Sequence, residues 1–394
     1  MLSAQIDSDN TLRIYIDQHK LYHGINDSIS GSVSLHGGAY INSTALTNSF
    51  VKQFLFQGHV SESAKNDVSV KVKDFNRIGY DINLGITGTY QKDNLTYVAG
   101  INYRNNFNSR FTRDLFEVMF RGNKNYADKN AILTSSSINY FSYQNIHIGV
   151  SKELSQRPVI IGGGISLING TQYQNIDIKK GDIYTAIDGS YIDVNADFKI
   201  SNSKNKHPNA PFGNGIGAGV NLNFTTWTEK SRLNVNVKDL GFIYWKNLIS
   251  TKVDSSIRYE GLEISNILDY KGYSFSGFNE DTIKKQYHVY DVEENQNKAI
   301  PFTISANYNC IIYKNIDLFL GAKYIAFANY YPQVNLKSII HFKNNLLIMP
   351  GLNLGGYGKF NFELGLLKSF KNEIIISGNV MCLEYLLYPL IARD

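Results

Sequence analysis

Residues 80–90, YDINLGITGTY, form a segment in which apolar and polar side chains alternate with a period of two. Successive side chains of a β-strand point to opposite faces, so the segment predicts a strand with one apolar and one polar face. The apolar face begins at Tyr80 and ends at Tyr90, and a tilted strand of about this length can cross a bilayer. Tyrosine favours the water–lipid interface because its ring is buried there while its hydroxyl stays hydrated. One such segment fits a soluble sheet equally well, so the prediction depends on whether the pattern recurs.

The alternation recurs along most of the chain. Residues 95–103, LTYVAGINY, follow a polar turn and complete a hairpin with the first strand. Further segments of this kind lie at 192–200, 216–224, 302–313, 316–328, 333–342, 346–355, 360–369 and 373–385. A soluble barrel carries its apolar side chains inside and its charges outside. Here the polar faces are mainly Asn, Thr, Ser and Gly, which suit a hydrogen-bonded lumen, and the apolar faces suit lipid.

The composition agrees with one large membrane barrel. Only 19% of the 394 residues are charged, below the ~25% of an ordinary soluble domain, and 13% are aromatic. The sequence has no run of 18 apolar residues and therefore predicts no membrane-spanning helix. Its net charge of +5 is too small to indicate a nucleic-acid partner. We predict an all-β fold, a transmembrane antiparallel β-barrel of about 14 strands in a bacterial outer membrane, with a soluble all-β protein as the alternative.

Two segments break the two-residue period and predict short helices. In 43–58, apolar residues recur every three or four positions and Gly58 stands where a helix would end. In 110–122, acidic residues near the start and Arg121 near the end complement the helix dipole. We expect the first helix either to plug the lumen or to pack on the surface. The expected division of the chain is an N-terminal periplasmic or plug segment at 1–42 and a single barrel over 43–394, with helical insertions near 43–58 and 110–122 and a long loop near 265–300.

A run of apolar residues follows Asp239 at the end of a regular strand pattern. The glycine in Asp239-Leu240-Gly241-Phe242 predicts a β-bulge or a sharp bend. The aromatic residues Phe242, Tyr244 and Trp245 then predict part of an aromatic belt at the membrane interface. The alternative is a corner of a soluble core.

Residue types that carry catalysis or bind metals are scattered. His19 and His23 have a metal-binding spacing for a helix, but their surroundings read as extended and no third ligand stands out. Gly162-Gly163-Gly164 lacks the Lys-Ser/Thr of a phosphate loop and is more typical of strand curvature or close approach. We therefore predict no catalytic residue, no cofactor and no metal site, and expect that the protein is not an enzyme. Cys310 and Cys382 are expected to be packed thiols, bridged only if their strands are neighbours.

Four segments resemble a family of Bacteroidota outer-membrane β-barrels: NSTALTNSFVKQFLFQGHV, DFNRIGYDINLGITG, RDLFEVMFRGNKNYADK and VKDLGFIYW. That family has no known function and is similar to FadL-type transporters and to the barrels that accompany type IX secretion. The resemblance covers about residues 25 to 390 and implies location and shape rather than chemistry. The chain departs from many outer-membrane barrels after Tyr388, where the usual terminal aromatic signal is missing.

The resemblance implies an accessory or anchoring subunit of an outer-membrane secretion, motility or surface-protein assembly. The alternative is a FadL-like or porin-like passive transporter of small apolar or amphipathic solutes. Expected partners are the lipid bilayer, lipopolysaccharide and proteins of such an assembly, with no nucleic acid. The basic loop at Lys204, Lys206 and His207 would either contact lipopolysaccharide phosphates or stay solvated.

Overall fold

The computed structural model of the chain describes residues 3–4, 31–154, 156–203, 214–260, 290–370 and 374–381. Within these residues, all named strands join one sheet whose strand pairs are antiparallel. The strands are β1 Ser3–Ala4, β2 Gly31–Ser43, β3 Asn76–Lys92, β4 Leu95–Phe111, β5 Lys129–Ile132, β6 Ser137–Glu153, β7 Val159–Thr185, β8 Ile192–Ser203, β9 Gly215–Trp227, β10 Ser231–Tyr259, β11 Tyr290–Ala299, β12 Thr303–Tyr313, β13 Ile316–Ile325, β14 Tyr331–Phe342, β15 Leu346–Gly356, β16 Phe360–Phe370 and β17 Ile374–Met381. The helices are α1 Asn48–Phe56, α2 Glu62–Ser69 and α3 Arg113–Arg121, with a 3-10 turn at Lys124–Tyr126.

Fourteen of the described strands form the wall of a barrel: β1–β4, β6, β7, β9, β10 and β12–β17. Each pairs with the next around the ring from β2 to β17. The backbone of β17 then pairs with β1, where Ser3 lies opposite Met381, and β1 lies against β2. Pairing between neighbouring strands satisfies their backbone N–H and C=O groups within the wall, which is what lipid requires. The predicted fold class is confirmed.

The two faces of the wall have the polarity that the sequence predicts. In β3, Leu84 and Ile86 each expose 53% of their surface to the outside, whereas Thr87 on the lumen face exposes 6%. Large apolar side chains are exposed on the outside of the other wall strands as well; they include Ile101, Ile146, Ile165, Leu222, Ile304, Leu320, Leu336 and Leu366. An apolar exterior around a polar interior is the arrangement of outer-membrane barrels. The protein is therefore an outer-membrane β-barrel, and the predicted location is confirmed.

The two ends of the barrel differ in the length of their connections. At one end, tight turns such as 93–94, 228–230 and 314–315 join the strands. At the other end, the β2–β3 and β4–β6 connections carry the three helices and β5. Outer-membrane barrels have short periplasmic turns and longer extracellular loops. By this rule the helical end faces the outside of the cell.

Two wall strands are far longer than a membrane crossing needs. β7 has 27 residues and β10 has 29, whereas a transmembrane strand needs about 9–11. The distal half of β7 (174–185) and the distal half of β10 (248–259) both pair with β8. In addition, β5 pairs with β7, and β11 pairs with β10. We call this set the extension sheet, because it continues the wall beyond the rim. Part of the loop predicted near 265–300 is thus strand β11, and residues 261–289 lie outside the described residues.

The helices pack on the outer face of the wall. Phe50 of α1 and Phe116 of α3 lie in one apolar cluster with Phe111 of β4, and Ile41 and Ile78 pack against it. These last three residues share the outward face of Tyr80 and Phe107 in the strand register. The plug interpretation of the first helix is therefore wrong and the surface interpretation is right. No helix in the described part of the chain is long and apolar enough to cross a membrane.

The helix boundaries follow from local capping. The side chains of Thr47, Ser61 and Thr112 each accept a hydrogen bond from the backbone N–H of the residue three positions later in the chain. Each bond satisfies an N–H group of the first helical turn that has no acceptor within the helix. Gly58 and Gly122 follow α1 and α3 with φ of +66° and +79°, a backbone region that favours glycine. The sequence predicted both of these ends, whereas α2 is polar and short and was not predicted.

The N-terminal segment contributes to the wall. Residues 31–43, which the sequence analysis assigned to a periplasmic or plug segment, form β2 and pair along their whole length with β3. Residues 5–30 lie outside the described residues.

Candidate functional site in the barrel lumen

The lumen contains a polar chamber. It has a volume of about 240 Å³, and it lies among nine strands of the wall. Its walls carry mainly asparagine, serine, threonine, histidine and glycine. The polar residues that line it include His36, Asp81, Asn83, Asn102, Arg104, Asn145, His147, Ser151, Asn221, Asn223, Asn236, Lys238, Asp239, Thr303, Ser305 and Lys323.

An ion cluster, here called the latch, lies at the chamber and consists of Arg104, Asp81 and Asp239. Arg104 donates from Nε and Nη2 to the two carboxylate oxygens of Asp81, each at 3.0 Å. Its Nη1 donates to Asp239 Oδ2 at 3.1 Å and to the carbonyl oxygen of Pro301 at 3.2 Å. The bidentate geometry is the strongest that a guanidinium can make with a carboxylate. The latch thereby joins β3, β4, β10 and the segment that enters β12.

A β-bulge brings Asp239 to the latch. The pairing of β9 with β10 shifts between Val237 and Leu240, and Asp239 takes a φ of +61°. Its backbone N–H donates to Asn221 Oδ1 at 2.9 Å, and its carboxylate accepts from Asn145 Nδ2 at 3.0 Å. The predicted bulge is present, but the left-handed residue is Asp239. Gly241 instead allows close approach, since an added Cβ would lie 2.2 Å from the carbonyl oxygen of Ala218.

The bulge also decides where the aromatic residues point. Before the bulge, the even-numbered residues Asn234 and Asn236 face the lumen. After it, the odd-numbered residues Ile243 and Trp245 face the lumen, because one extra residue in the strand reverses the alternation. Trp245 is consequently 0% exposed, whereas Phe242 is 49% exposed on the outside. The aromatic belt predicted from the sequence is therefore wrong for Trp245.

Packed side chains close the lumen at the helical end. Trp245 stacks with Tyr173 at 5.6 Å between ring centroids, in a buried cluster with Tyr143 and Ile243. At the opposite wall Tyr357 is fully buried and contacts Tyr330. The chamber therefore lies between these two clusters and the end of the barrel that has the short turns.

The Tyr357 ring reaches across the barrel. Its hydroxyl accepts a hydrogen bond of 3.0 Å from Asn106 Nδ2 on β4. The ring lies over Gly79 of β3, where an added Cβ would come within 2.4 Å of the ring. Gly79 thus provides the space that the closing tyrosine occupies.

Two further pairs of a basic and an acidic side chain lie on the lumen face of β13–β16. Lys337 forms an ion pair with the buried carboxylate of Glu363, which also accepts from Asn353 Nδ2 at 2.7 Å. His341 Nε2 lies 2.9 Å from Asp317 Oδ2. The lumen therefore holds its carboxylates in pairs with basic groups rather than in a ring of one sign.

The sequence-predicted residues have the following places in the structure. Gly162–Gly164 lie in β7, where Gly164 lines the chamber and a Cβ on it would approach the carbonyl oxygen of Ile148 to 2.6 Å. Cys310 is a free, partly buried thiol. Within the described part of the chain, no three His, Cys, Asp or Glu side chains are placed to hold a metal ion. His19, His23, Lys204, Lys206, His207, Cys382 and Tyr388 lie outside the described residues.

Sequence reasoning missed the latch. Asp81 was assigned correctly to the polar face of its strand, and Arg104 follows directly on the tyrosine-ended segment 95–103. A charged residue on the lumen face of a predicted membrane strand is the signal that could have been used. Its partner Asp239 is 135 residues away in sequence, so only the closed barrel brings the two together.

Comparison with known proteins places the chain in a family. Residues 16–362 match the model of a family of unknown function, DUF5723. The chain belongs to this family. No curated protein matches the sequence.

Three solved structures illustrate what the fold is similar to. The toluene transporter TodX of Pseudomonas putida is 9% identical with a TM-score of 0.37, over 89% of this chain and 77% of that one. The toluene transporter TbuX of Ralstonia pickettii is 9% identical with a TM-score of 0.35, over 89% and 76%. The translocator domain of the autotransporter NalP of Neisseria meningitidis is 10% identical with a TM-score of 0.33, over 95% and 96%.

Proposed function

We propose that the protein is a gated passive transporter that lets small polar or amphipathic solutes cross the outer membrane. The observation that supports this proposal is the polar chamber inside the lumen. A small barrel that serves only as an anchor can fill its lumen with side chains. Here asparagine, histidine and lysine side chains surround a space of about 240 Å³. We expect no catalytic step, cofactor or metal in this function.

The latch and the aromatic clusters supply the gate in this proposal. Arg104 holds two carboxylates, and its side chain is only 9% exposed. Taking one partner out of a buried ion pair costs about 3–5 kcal/mol, because the remaining charge is left without compensation. The cluster therefore favours the closed arrangement, and opening requires a compensating interaction.

Solute flux into proteoliposomes tests this function. We expect the wild-type barrel to admit small solutes slowly and the Arg104→Ala variant to admit them at least about tenfold faster, since its latch is lost. Arg157→Ala, in the exposed β6–β7 turn, is the control and should leave flux unchanged. Flux no greater than that of empty liposomes for wild type and both variants would overturn the proposal.

The extension sheet supports a second candidate, an accessory subunit of an outer-membrane secretion, motility or surface-protein assembly. The sheet continues the wall well beyond the rim, where it is accessible to other proteins. Its strand β11 is polar, and a hydrogen bond from Ser250 together with the charge of Lys199 holds the pKa of the Glu294 carboxyl below its usual range. This sheet is the surface on which we would place protein partners, while lipid and lipopolysaccharide would contact the wall and its outer rim.

Affinity purification from the native outer membrane tests the second candidate. A stable partner that is retained by the wild-type barrel and lost after Glu293→Lys and Glu294→Lys would support it. Recovery of the barrel without any partner protein would contradict the accessory-subunit role. The matched control exchanges Asp93 in the β3–β4 turn for lysine, at the opposite end of the barrel.

A further inference from the structure

We propose that the helices on the outer wall dock in the outer leaflet of the membrane and bind the phosphates of lipopolysaccharide. This surface is separate from the lumen, so the proposal does not depend on transport. Three observations support it: the height of the helices along the wall, an exposed apolar run at the end of α1, and exposed lysines in the same connection.

Aromatic residues of the wall mark the two membrane interfaces. In the strand register, Tyr80 of β3 lies opposite Phe107 of β4, which lies opposite Tyr140 of β6. At the other end of β3, Tyr90 lies opposite Tyr97. A strand tilted by about 40° rises about 25 Å between Tyr80 and Tyr90, which is the height of the apolar band of an outer-membrane barrel. Tyrosine rings at both limits of this band are typical of membrane interfaces, so Tyr80 marks the outer one.

The helices meet the wall at the height of the lipid headgroups. Their apolar cluster contacts the wall at Ile41, Ile78 and Phe111. Ile41 lies opposite Tyr80 in the register, and Phe111 lies opposite Asn76. By the same rise and tilt, Asn76 is about 10 Å above Tyr80. The contact therefore extends from the outer interface into the headgroup layer, where amphipathic helices bind membranes.

The last three residues of α1 form an exposed apolar run, here called the apolar tip. Phe54, Leu55 and Phe56 each expose more than half of their surface. The Phe54 ring also contacts Phe50 and Phe120, at 6.2 and 5.8 Å between ring centroids, so the tip continues the cluster that packs on the outer wall. A helix face in water carries polar side chains. Because this apolar surface is continuous with the lipid-facing wall, we assign the acyl chains of the outer leaflet as its cover.

Exposed lysines near the tip and near the wall fit an anionic lipid. Lys52 precedes Leu55 and Phe56 by three and four positions, and side chains at these spacings are neighbours on a helix. The backbone of Lys73 is held at the headgroup height by Asn76, whose Oδ1 accepts from its N–H at 2.9 Å and whose Nδ2 donates to its carbonyl oxygen at 2.6 Å. Both lysines are exposed, and neither forms an ion pair within the part of the chain that the structure describes. Cations at this height attract anionic headgroups, and lipopolysaccharide supplies phosphates there.

Insertion of the tip is separable from the packing of the helices. Phe50 and Phe116 are buried and hold α1 and α3 on the wall. Loss of an exposed ring such as Phe56 therefore weakens the contact with lipid without loosening the helices.

Fluorescence quenching in liposomes tests the position of the tip. In a background without Cys310 and Cys382, a polarity-sensitive thiol label is attached to Phe56→Cys, to Leu84→Cys on the outer face of β3, or to Ser190→Cys in the exposed β7–β8 turn. The liposomes contain lipid A and a phospholipid with a nitroxide on its acyl chain. We expect the label at position 56 to be quenched at least about fivefold more than that at 190 and nearly as strongly as that at 84. Quenching at 56 no stronger than at 190 would overturn the inference and would leave a protein as the occupant of the tip.

Lipid binding to the detergent-purified full chain tests the lysines. Lipid A and its dephosphorylated form share their acyl chains and differ in charge, and we expect lipid A to bind at least about tenfold more tightly. The Lys52→Gln/Lys73→Gln variant should lose this preference, and Lys52→Arg/Lys73→Arg should keep it. The control Lys314→Gln/Lys343→Gln changes two exposed lysines in the short turns at the opposite end and should bind like wild type. Equal binding of the two lipids to wild type, or an unchanged preference in the double glutamine variant, would overturn the inference.

Discussion

Arg104 joins Asp81 of β3 to Asp239 of β10, and 135 residues separate Arg104 from Asp239, so the barrel must close before these contacts can form. The alternation in 80–90 placed Asp81 on the polar face, and the structure confirms this placement. The identity of its partner could not be predicted, because Arg104 also binds Asp239 and Pro301, which follow more than 130 residues later. The orientation of Trp245 was predicted wrongly, since it depends on a bulge whose position is set by the pairing of β9 with β10. Lumen contacts thus arise from closure, which local sequence does not encode.

Gly79 provides a residue-level test of lumen closure. We expect Gly79→Ala to displace the buried Tyr357 ring and to lower the free energy of unfolding by about 1–3 kcal/mol through overpacking. The loosened ring should also raise solute flux. Thermal unfolding followed by gel mobility, together with proteoliposome flux, measures both effects.

Gly88→Ala is the matched control on the same strand. A Cβ at Gly88 would lie 3.9 Å from its nearest neighbours, an ordinary contact distance, so this variant should behave like wild type. Equal stability and flux in the two alanine variants would show that Tyr357 does not close the lumen over Gly79.

At the scale of whole elements, the sequence predicted strands best where apolar and polar residues alternate without interruption. The wall strands β12–β16 begin and end within a few residues of their predicted limits, because each has a lipid face and a lumen face. The limits predicted for the last strand, 373 and 385, lie outside the described residues. The extension sheet was not predicted. The distal halves of β7 and β10 continue their wall strands without a break in pattern, and β8, predicted at 192–200 as a wall strand, lies in the extension sheet instead, because its alternation is the same as that of a wall strand. The helices α1 and α3 were predicted from their period, but their position was not, because an apolar helix face fits the outside of a wall as well as the inside of a lumen.

The helical cluster on the outer wall can be tested at Phe50 of α1. Phe50→Ala removes a ring that is 2% exposed and should destabilise the cluster by about 3–5 kcal/mol. We expect faster hydrogen exchange in 44–75 and unchanged solute flux, because the helices lie outside the lumen. Phe56→Ala changes a ring that is 76% exposed and serves as the control, with no effect on exchange. A rise in solute flux through the Phe50→Ala variant would indicate that α1 obstructs the lumen and would contradict its position on the outer wall.

At the scale of the molecule, a closed wall with an apolar exterior encloses a polar chamber. Closure by pairing of β17 with β1 leaves each wall strand with two neighbours, and this makes a polar backbone compatible with lipid. The latch and the aromatic clusters then separate the chamber from the helical end. Transport through this lumen requires that side chains on the lumen face, but not those on the lipid face, control the passage of solutes.

Two adjacent residues of β12 distinguish passage through the lumen from passage along the outer face of the wall. Ser305 lines the chamber and Ala306 faces the lipid, so cysteines at the two positions differ only in the face they occupy. In a background without Cys310 and Cys382, bulky thiol reagents should block most solute flux through the Ser305→Cys barrel and leave Ala306→Cys unaffected. Flux that persists through fully modified Ser305→Cys, or equal block at both positions, would contradict passage through the chamber.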